Sequence, residues 1–210
     1  VSVLTMALAE WMGMGPKEVR AFGVAGLLHD LGKVRIPKEV LTKPGKLSDE
    51  EWTIMRRHPV DGAKIIYESD RDLDLAAAVA YEHHIMINGQ GYPKRHFERG
   101  VHAASKLVHV CDVYDAMRTN RPYRAAWESE RVLKMIEEGA GPDFDTEAAN
   151  AFITMMKSWE SRVAVVDDVL STGTSIAGVL GLLDLMQTSP VVIGAAMLQG
   201  TGWQAPVGHC

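Results

Sequence analysis

A helical rhythm with scarcely any strand signal runs from Val1 to Trp159, and this narrows the folds open to the chain more than any other feature. Val1 to Met12 is apolar and rich in helix formers. Pro16 suits a first helical turn, and Glu18 to Leu31 keeps helical spacing up to a stop at Gly32. Ser48-Asp49-Glu50-Glu51 reads as a capping box, with Glu51 reaching back to the Ser48 amide. It opens a helix carrying Trp52, Met55, His58, Ile65 and Ile66. A short helix is predicted from about Leu75 to His84, followed by a loop with Gly89, Gly91 and Pro93. Two more cover about His102 to Arg118 and Glu128 to Glu138, the second stopped by Gly139-Ala140-Gly141-Pro142. Asp145 can cap a last helix running toward Trp159.

At Arg162 the texture changes. Val163-Ala164-Val165-Val166 is a short β-branched run of the kind found in a buried parallel strand. Asp167-Asp168-Val169-Leu170-Ser171-Thr172-Gly173-Thr174-Ser175 follows, then an apolar helix to about Met186 and a second strand from Val191 to Leu198. One such unit cannot cover both faces of a sheet. The expected fold is mainly α: a helical bundle over residues 1–158 with a short β-α-β segment over 162–210.

Charge excludes some partners. With 22 basic and 27 acidic residues the net charge is −5, which argues against duplex DNA while leaving room for a local basic pocket. No apolar stretch approaches the roughly 18 residues that a membrane span needs, and no secretory leader is visible. Cys111 and Cys210 make no disulfide framework, so a cytoplasmic protein is expected.

The chemistry concentrates in scattered imidazoles and carboxylates: His29-Asp30, His58, His83-His84 and Asp112. They come from separate helices, and helix bundles build metal sites from inward side chains on facing helices. Mixed nitrogen and oxygen donors suit Fe, Mn, Co, Ni or Zn better than Ca or Mg. An adjacent His-Asp pair can serve two neighbouring metals, the carboxylate bridging them. Asp112 sits in the apolar run Leu107 to Val113, where burial without a partner is costly; a metal, a core Arg or a helix cap would each serve. His96, His102, His109 and His209 are read as surface or hydrogen-bonded core residues.

The order of these residues is more telling than any one of them. His29-Asp30-Leu31-Gly32-Lys33, Ile36-Pro37, Leu41-Thr42-Lys43-Pro44-Gly45-Lys46-Leu47, His58-Pro59-Val60-Asp61-Gly62, Glu82-His83-His84, Gly89-Gln90-Gly91-Tyr92-Pro93, Asp112-Val113-Tyr114-Asp115-Ala116 and Arg121-Pro122-Tyr123-Arg124 follow one another. This series closely resembles the HD-GYP branch of the HD-domain metal-dependent phosphohydrolases. The resemblance implies an HD-domain helical bundle holding two or three divalent metals, commonly iron or manganese, and hydrolysis of cyclic di-GMP to the linear dinucleotide or GMP. It implies His29, Asp30, His58, His83, His84 and Asp112 as metal ligands, with Asp30 and Lys33 at the reaction centre. Lys33 would meet the scissile phosphate, and Tyr92, Arg121 and Arg124 would line the nucleotide pocket.

The sequence departs from the family pattern at three points. Ile85 stands where an acidic residue usually follows the paired histidines, and Asn88 where an Asp usually precedes the loop glycine. At the family's spacing a further His, and in the three-metal version a Glu, would fall before Val1. The start of the domain, and any sensory or receiver domain, is therefore expected upstream. The alternatives are an HD phosphohydrolase acting on another nucleotide or phosphoester, and a nucleotide-binding or relay module without catalysis. Val163 to Ser175 separately resembles the phosphoribosyl-pyrophosphate loop of type I phosphoribosyltransferases, which implies a phosphate loop at Asp167, Asp168, Thr172, Gly173 and Thr174.

Overall fold

Helix α1 (Ser2–Trp11) turns through Gly13, whose φ of +80° suits a residue without a Cβ, into α2 (Pro16–Leu28). In the computed structural model residues 1–96, 98–120 and 125–171 are described, from 162 onward by backbone alone. Pro16 opens α2 as expected, but that helix ends earlier than the sequence suggests. A separate 3-10 turn occupies Leu31–Arg35, so Gly32 is not a helix stop. A Cβ on Gly32 would lie 1.9 Å from the His58 carbonyl oxygen and 2.5 Å from the Gly62 amide nitrogen. Gly32 is there for close approach: it lets the backbone after Asp30 lie directly against the start of another helix.

The capping box forms as read. The Glu51 amide donates to Ser48 Oγ at 3.3 Å, and the Ser48 amide donates to Glu51 Oε2 at 2.7 Å. The single helix expected beyond it is two, α4 (Asp49–Met55) and α5 (His58–Ser69), preceded by the short α3 (Lys38–Leu41). Pro59 accounts for the break, since it has no N–H to continue a ladder and sits comfortably in a first turn. A 3-10 turn (Arg71–Leu73) leads to α6 (Asp74–Glu82), and α7 (Ala103–Arg118) and α8 (Ser129–Glu138) follow.

Helix α6 packs against α2, α5 and α7, and α7 also packs against α1, α2 and α8. Small residues make this possible: Ala76, Ala77 and Ala80 are buried on α6 beside Val79. On α7 the buried residues run almost all round the helix, from Ala104 through Val110 to Tyr114. Each fully buried valine here, such as Val79 or Val108, contributes about 1.5–3 kcal/mol. Tyr114 meets Phe152 at 5.1 Å between ring centroids and so ties α7 to the helix carrying Phe152.

Asp145 caps α9 (Thr146–Ser171), accepting from the Ala148 amide at 3.1 Å. The backbone over 163–166 is helical within α9, which corrects the expected strand there. No Gly or Pro interrupts 146–171, and an apolar run alone does not distinguish strand from buried helix. Asp167 and Asp168 therefore lie in helical backbone. Thr172, Gly173, Thr174 and the expected second strand lie outside the described residues, and the phosphate-loop reading gains no support. The chain divides into two compact units, Val1–Lys157 and Ser158–Cys210, and the candidate site lies wholly in the first.

Candidate metal centre

Three histidines arrive at one point by the same local device. His29 follows the end of α2, His58 opens α5 and His83 follows α6. Each ring donates its Nδ1 proton at 2.8 Å to the carbonyl three residues earlier: Gly26, Met55 and Ala80. Those carbonyls lie in the last turns of helices, where the helix provides them no partner. In the neutral ring this bond fixes the tautomer, so that Nε2 is the nitrogen carrying the lone pair. All three rings are buried.

The three Nε2 atoms converge on Asp30. His29 Nε2 is 3.3 Å from Asp30 Oδ2, while His58 and His83 Nε2 lie 3.4 and 3.8 Å from Asp30 Oδ1. Asp112, from the middle of α7, brings Oδ1 to 3.5 Å from His29 Nε2. The His84 ring stands 4.1 Å from His83 and 5.1 Å from His58 between centroids. Two sets of donor atoms, His29–Asp30–His83 and His58–His83–His84, each fall within 4.8 Å. One carboxylate oxygen of Asp30 faces His29 and the other faces His58 and His83, as a bridging ligand would require.

The residues fit a metal on physical grounds. His58 and His83 place Nε2 against Nε2 at 3.4 Å, an acceptor against an acceptor. His29 Nε2 and Asp30 Oδ1 are buried without a hydrogen-bond partner. Such groups are costly unless a cation or proton lies among them. Imidazole with carboxylate is the donor chemistry of first-row transition metals.

The protonation pattern follows from the same geometry. Burial disfavours a charged His29, but the facing Asp112 and Asp30 carboxylates outweigh it and push the ring up to about 10. Asp30 is held well below the usual carboxylate range: burial opposes its charge, while His29 and Lys33 favour it more strongly. Burial pushes His58 down, His83 well down, and His84 down to about 3, so these rings are neutral and available as donors.

Lys33 follows on the 3-10 turn and places Nζ 2.5 Å from Asp30 Oδ2. Tyr92 packs beside the cluster, its ring 4.6 Å from His84 and 6.1 Å from His58, with burial pushing its hydroxyl up to about 12. The expected nucleotide-pocket arginines, Arg121 and Arg124, lie outside the described residues. The two loop departures have local explanations. Ile85 is buried in the apolar core, and Asn88 Oδ1 accepts from the Gln90 amide at 2.8 Å, a bond an Asp oxygen could equally make.

Sequence reasoning gave no role to Glu82, although it stands in a quoted motif. Its buried carboxylate accepts from Arg99 at 2.6 Å, the His102 amide at 2.8 Å and Ser105 Oγ at 2.8 Å. These bonds pin the end of α6 to the start of α7, immediately before the paired histidines. The available signal was an acid after the apolar run Ala76 to Ala80. His109, read as a surface or core residue, donates Nδ1–H to the His83 carbonyl at 2.6 Å. It therefore bears on the site from behind.

Comparison with known proteins agrees with this architecture. The chain is 37% identical over 153 residues to the cyclic di-GMP phosphodiesterase PA4108 of Pseudomonas aeruginosa, covering 73% of this chain and 37% of that protein. It is 31% identical over 166 residues to 3'3'-cGAMP-specific phosphodiesterase 2 of Vibrio cholerae, covering 79% and 31%. The chain thus spans well under half the length of these curated relatives. Among solved structures, Bd1817, described as a HDG"Y"P protein from Bdellovibrio bacteriovorus, superposes with a TM-score of 0.59 at 22% identity, over 74% of this chain and 50% of that one. The HD domain family itself matches residues 1–148, the stretch that supplies every histidine and carboxylate of the cluster, and the chain belongs to that family.

Proposed function

We propose that the chain is a metal-dependent phosphodiesterase that hydrolyses a cyclic dinucleotide, cyclic di-GMP first, to the linear dinucleotide or GMP. The facing Nε2 atoms of His58 and His83 beside Asp30 carry the metal part of this reading. The names of the relatives support the substrate class. In this proposal His29, Asp30, His58, His83, His84 and Asp112 hold two divalent ions, iron or manganese by their donor chemistry. When bound, such ions draw a nucleophile from water at neutral pH and neutralise charge gathering on the phosphate.

The chain's own residues do the rest. Lys33, a compact charge on a flexible stem, can leave Asp30 for a phosphate oxygen and follow it through bond cleavage. Tyr92 stands beside His84 and is proposed to offer a ring face to the nucleotide. Arg121 and Arg124 are proposed to grip the second phosphate. Cys111, a buried free thiol, accords with the proposed cytoplasmic setting. Among the described residues no helix is long and apolar enough to cross a membrane. A sensory or receiver domain upstream of Val1 belongs to the same proposal.

The Vibrio relative's name favours one second reading, hydrolysis of 3'3'-cGAMP. Manganese- or iron-loaded chain, assayed with cyclic di-GMP, 3'3'-cGAMP and bis(p-nitrophenyl) phosphate, separates the cases by the products formed. Turnover of cyclic di-GMP supports the proposal. Turnover of the nitrophenyl ester alone points to another phosphohydrolase, and binding without turnover points to a relay module.

A further inference from the structure

Beside the histidine cluster one guanidinium lies against two aromatic rings, and among the described residues its N–H groups meet no carboxylate. Arg56 caps the C-terminus of α4, its amide donating to the Trp52 carbonyl at 2.9 Å, and it stands two residues before His58. Its guanidinium carbon lies 5.7 Å from the Trp52 ring centroid and 5.7 Å from the Tyr92 ring centroid. Tyr92 in turn touches His84, so Arg56 is two ring contacts from the cluster. Arg57 pairs with Asp61 at 3.9 Å, whereas among the described residues Arg56 has no carboxylate partner. Trp52 is 42% exposed.

Aromatic rings occupy the faces of a guanidinium and leave its in-plane N–H groups to bind elsewhere. An arginine fixed this way matches two adjacent acceptors, the pattern of guanine at O6 and N7, whereas adenine presents a donor at the first position. Resting on the phosphodiesterase reading above, we infer that Arg56, braced by Trp52 and Tyr92, reads the edge of a guanine base and sets the preference for guanine over adenine dinucleotides. A phosphate contact would not distinguish the two bases.

The test is calorimetric binding of GMP and AMP to the manganese-loaded full chain, which needs no turnover. Wild type should prefer GMP, and Arg56→Ala should weaken GMP by about five- to 150-fold while leaving AMP unchanged. Arg56 is exposed, so the variant should fold, and equal metal content checks that the cluster is intact. Equal weakening of GMP and AMP, no effect on either, or no GMP preference in wild type would overturn the inference. If cyclic dinucleotides are not hydrolysed yet GMP preference depends on Arg56, the guanine site stands and the enzymatic reading falls. Hydrolysis with base preference unchanged in Arg56→Ala gives the reverse result.

Discussion

His58 and His83 face each other through their Nε2 atoms at 3.4 Å, while each donates its Nδ1–H to a backbone carbonyl. Neither nitrogen can donate to the other, so a cation between them relieves a repulsion built into this arrangement. Metal should therefore stabilise the protein as well as activate it. Manganese at 100 times its dissociation constant should add about 2.7 kcal/mol, or about 5–10 °C in Tm for a domain of this size. His83→Ala and Asp30→Ala should lose metal by elemental analysis and lose this shift. An unchanged Tm for wild type in both iron and manganese would remove the metal reading.

His29 adds a pH dependence. Burial disfavours its charge, yet the Asp112 and Asp30 carboxylates keep it protonated up to about 10. The same Nε2 must be bare to take a metal. Below about pH 10, uptake should expel one proton, and apparent affinity should climb with pH, by as much as about tenfold per unit. Calorimetry at pH 7 in buffers of different ionisation enthalpy counts that proton. Affinity that stays flat from pH 6 to 9 would take His29 out of the ligand set.

A third expectation concerns His109, which holds the His83 carbonyl at 2.6 Å and lies 5.1 Å from Phe144 between rings. It touches no donor atom of the cluster, so it acts by positioning the His83-His84 backbone. His109→Ala should weaken metal binding by about tenfold and destabilise the fold by about 1–3 kcal/mol. His109→Asn keeps an N–H at similar reach and should recover most of the affinity. Metal titration of both variants decides the matter: equal wild-type affinity would make the bond purely structural.

Much of this was legible before any coordinates. The Ser48–Glu51 box, the Asp145 cap and most helix positions follow from side chains that satisfy nearby backbone groups. The site histidines were legible because motif order carried them together. What the sequence hid was tertiary in origin. Gly32 looks like a stop, and only the His58 carbonyl beside it shows why no side chain fits. His109 and Glu82 acquire their roles from residues 26 and 17–23 positions away, across the α6–α7 packing. The β-branched run at 163–166 misleads because a short apolar run fits helical backbone as well as a strand.

Lys33 provides the last test, because its position separates substrate chemistry from metal binding. The 3-10 turn of Leu31–Arg35 brings Nζ to 2.5 Å from Asp30 Oδ2, the oxygen that also faces His29. Lysine is no metal ligand while charged, so its removal should leave the metals in place. If it transfers to the phosphate during cleavage, Lys33→Ala should lower kcat by about 10²–10³. Lys33→Arg should recover little, since a planar fork cannot replace a compact charge in so short a reach. The measurement is kcat with cyclic di-GMP at saturating manganese, beside metal content for each variant. Unchanged turnover would remove Lys33 from the reaction. Loss of metal in step with loss of rate would instead show that its role is to hold Asp30 in place.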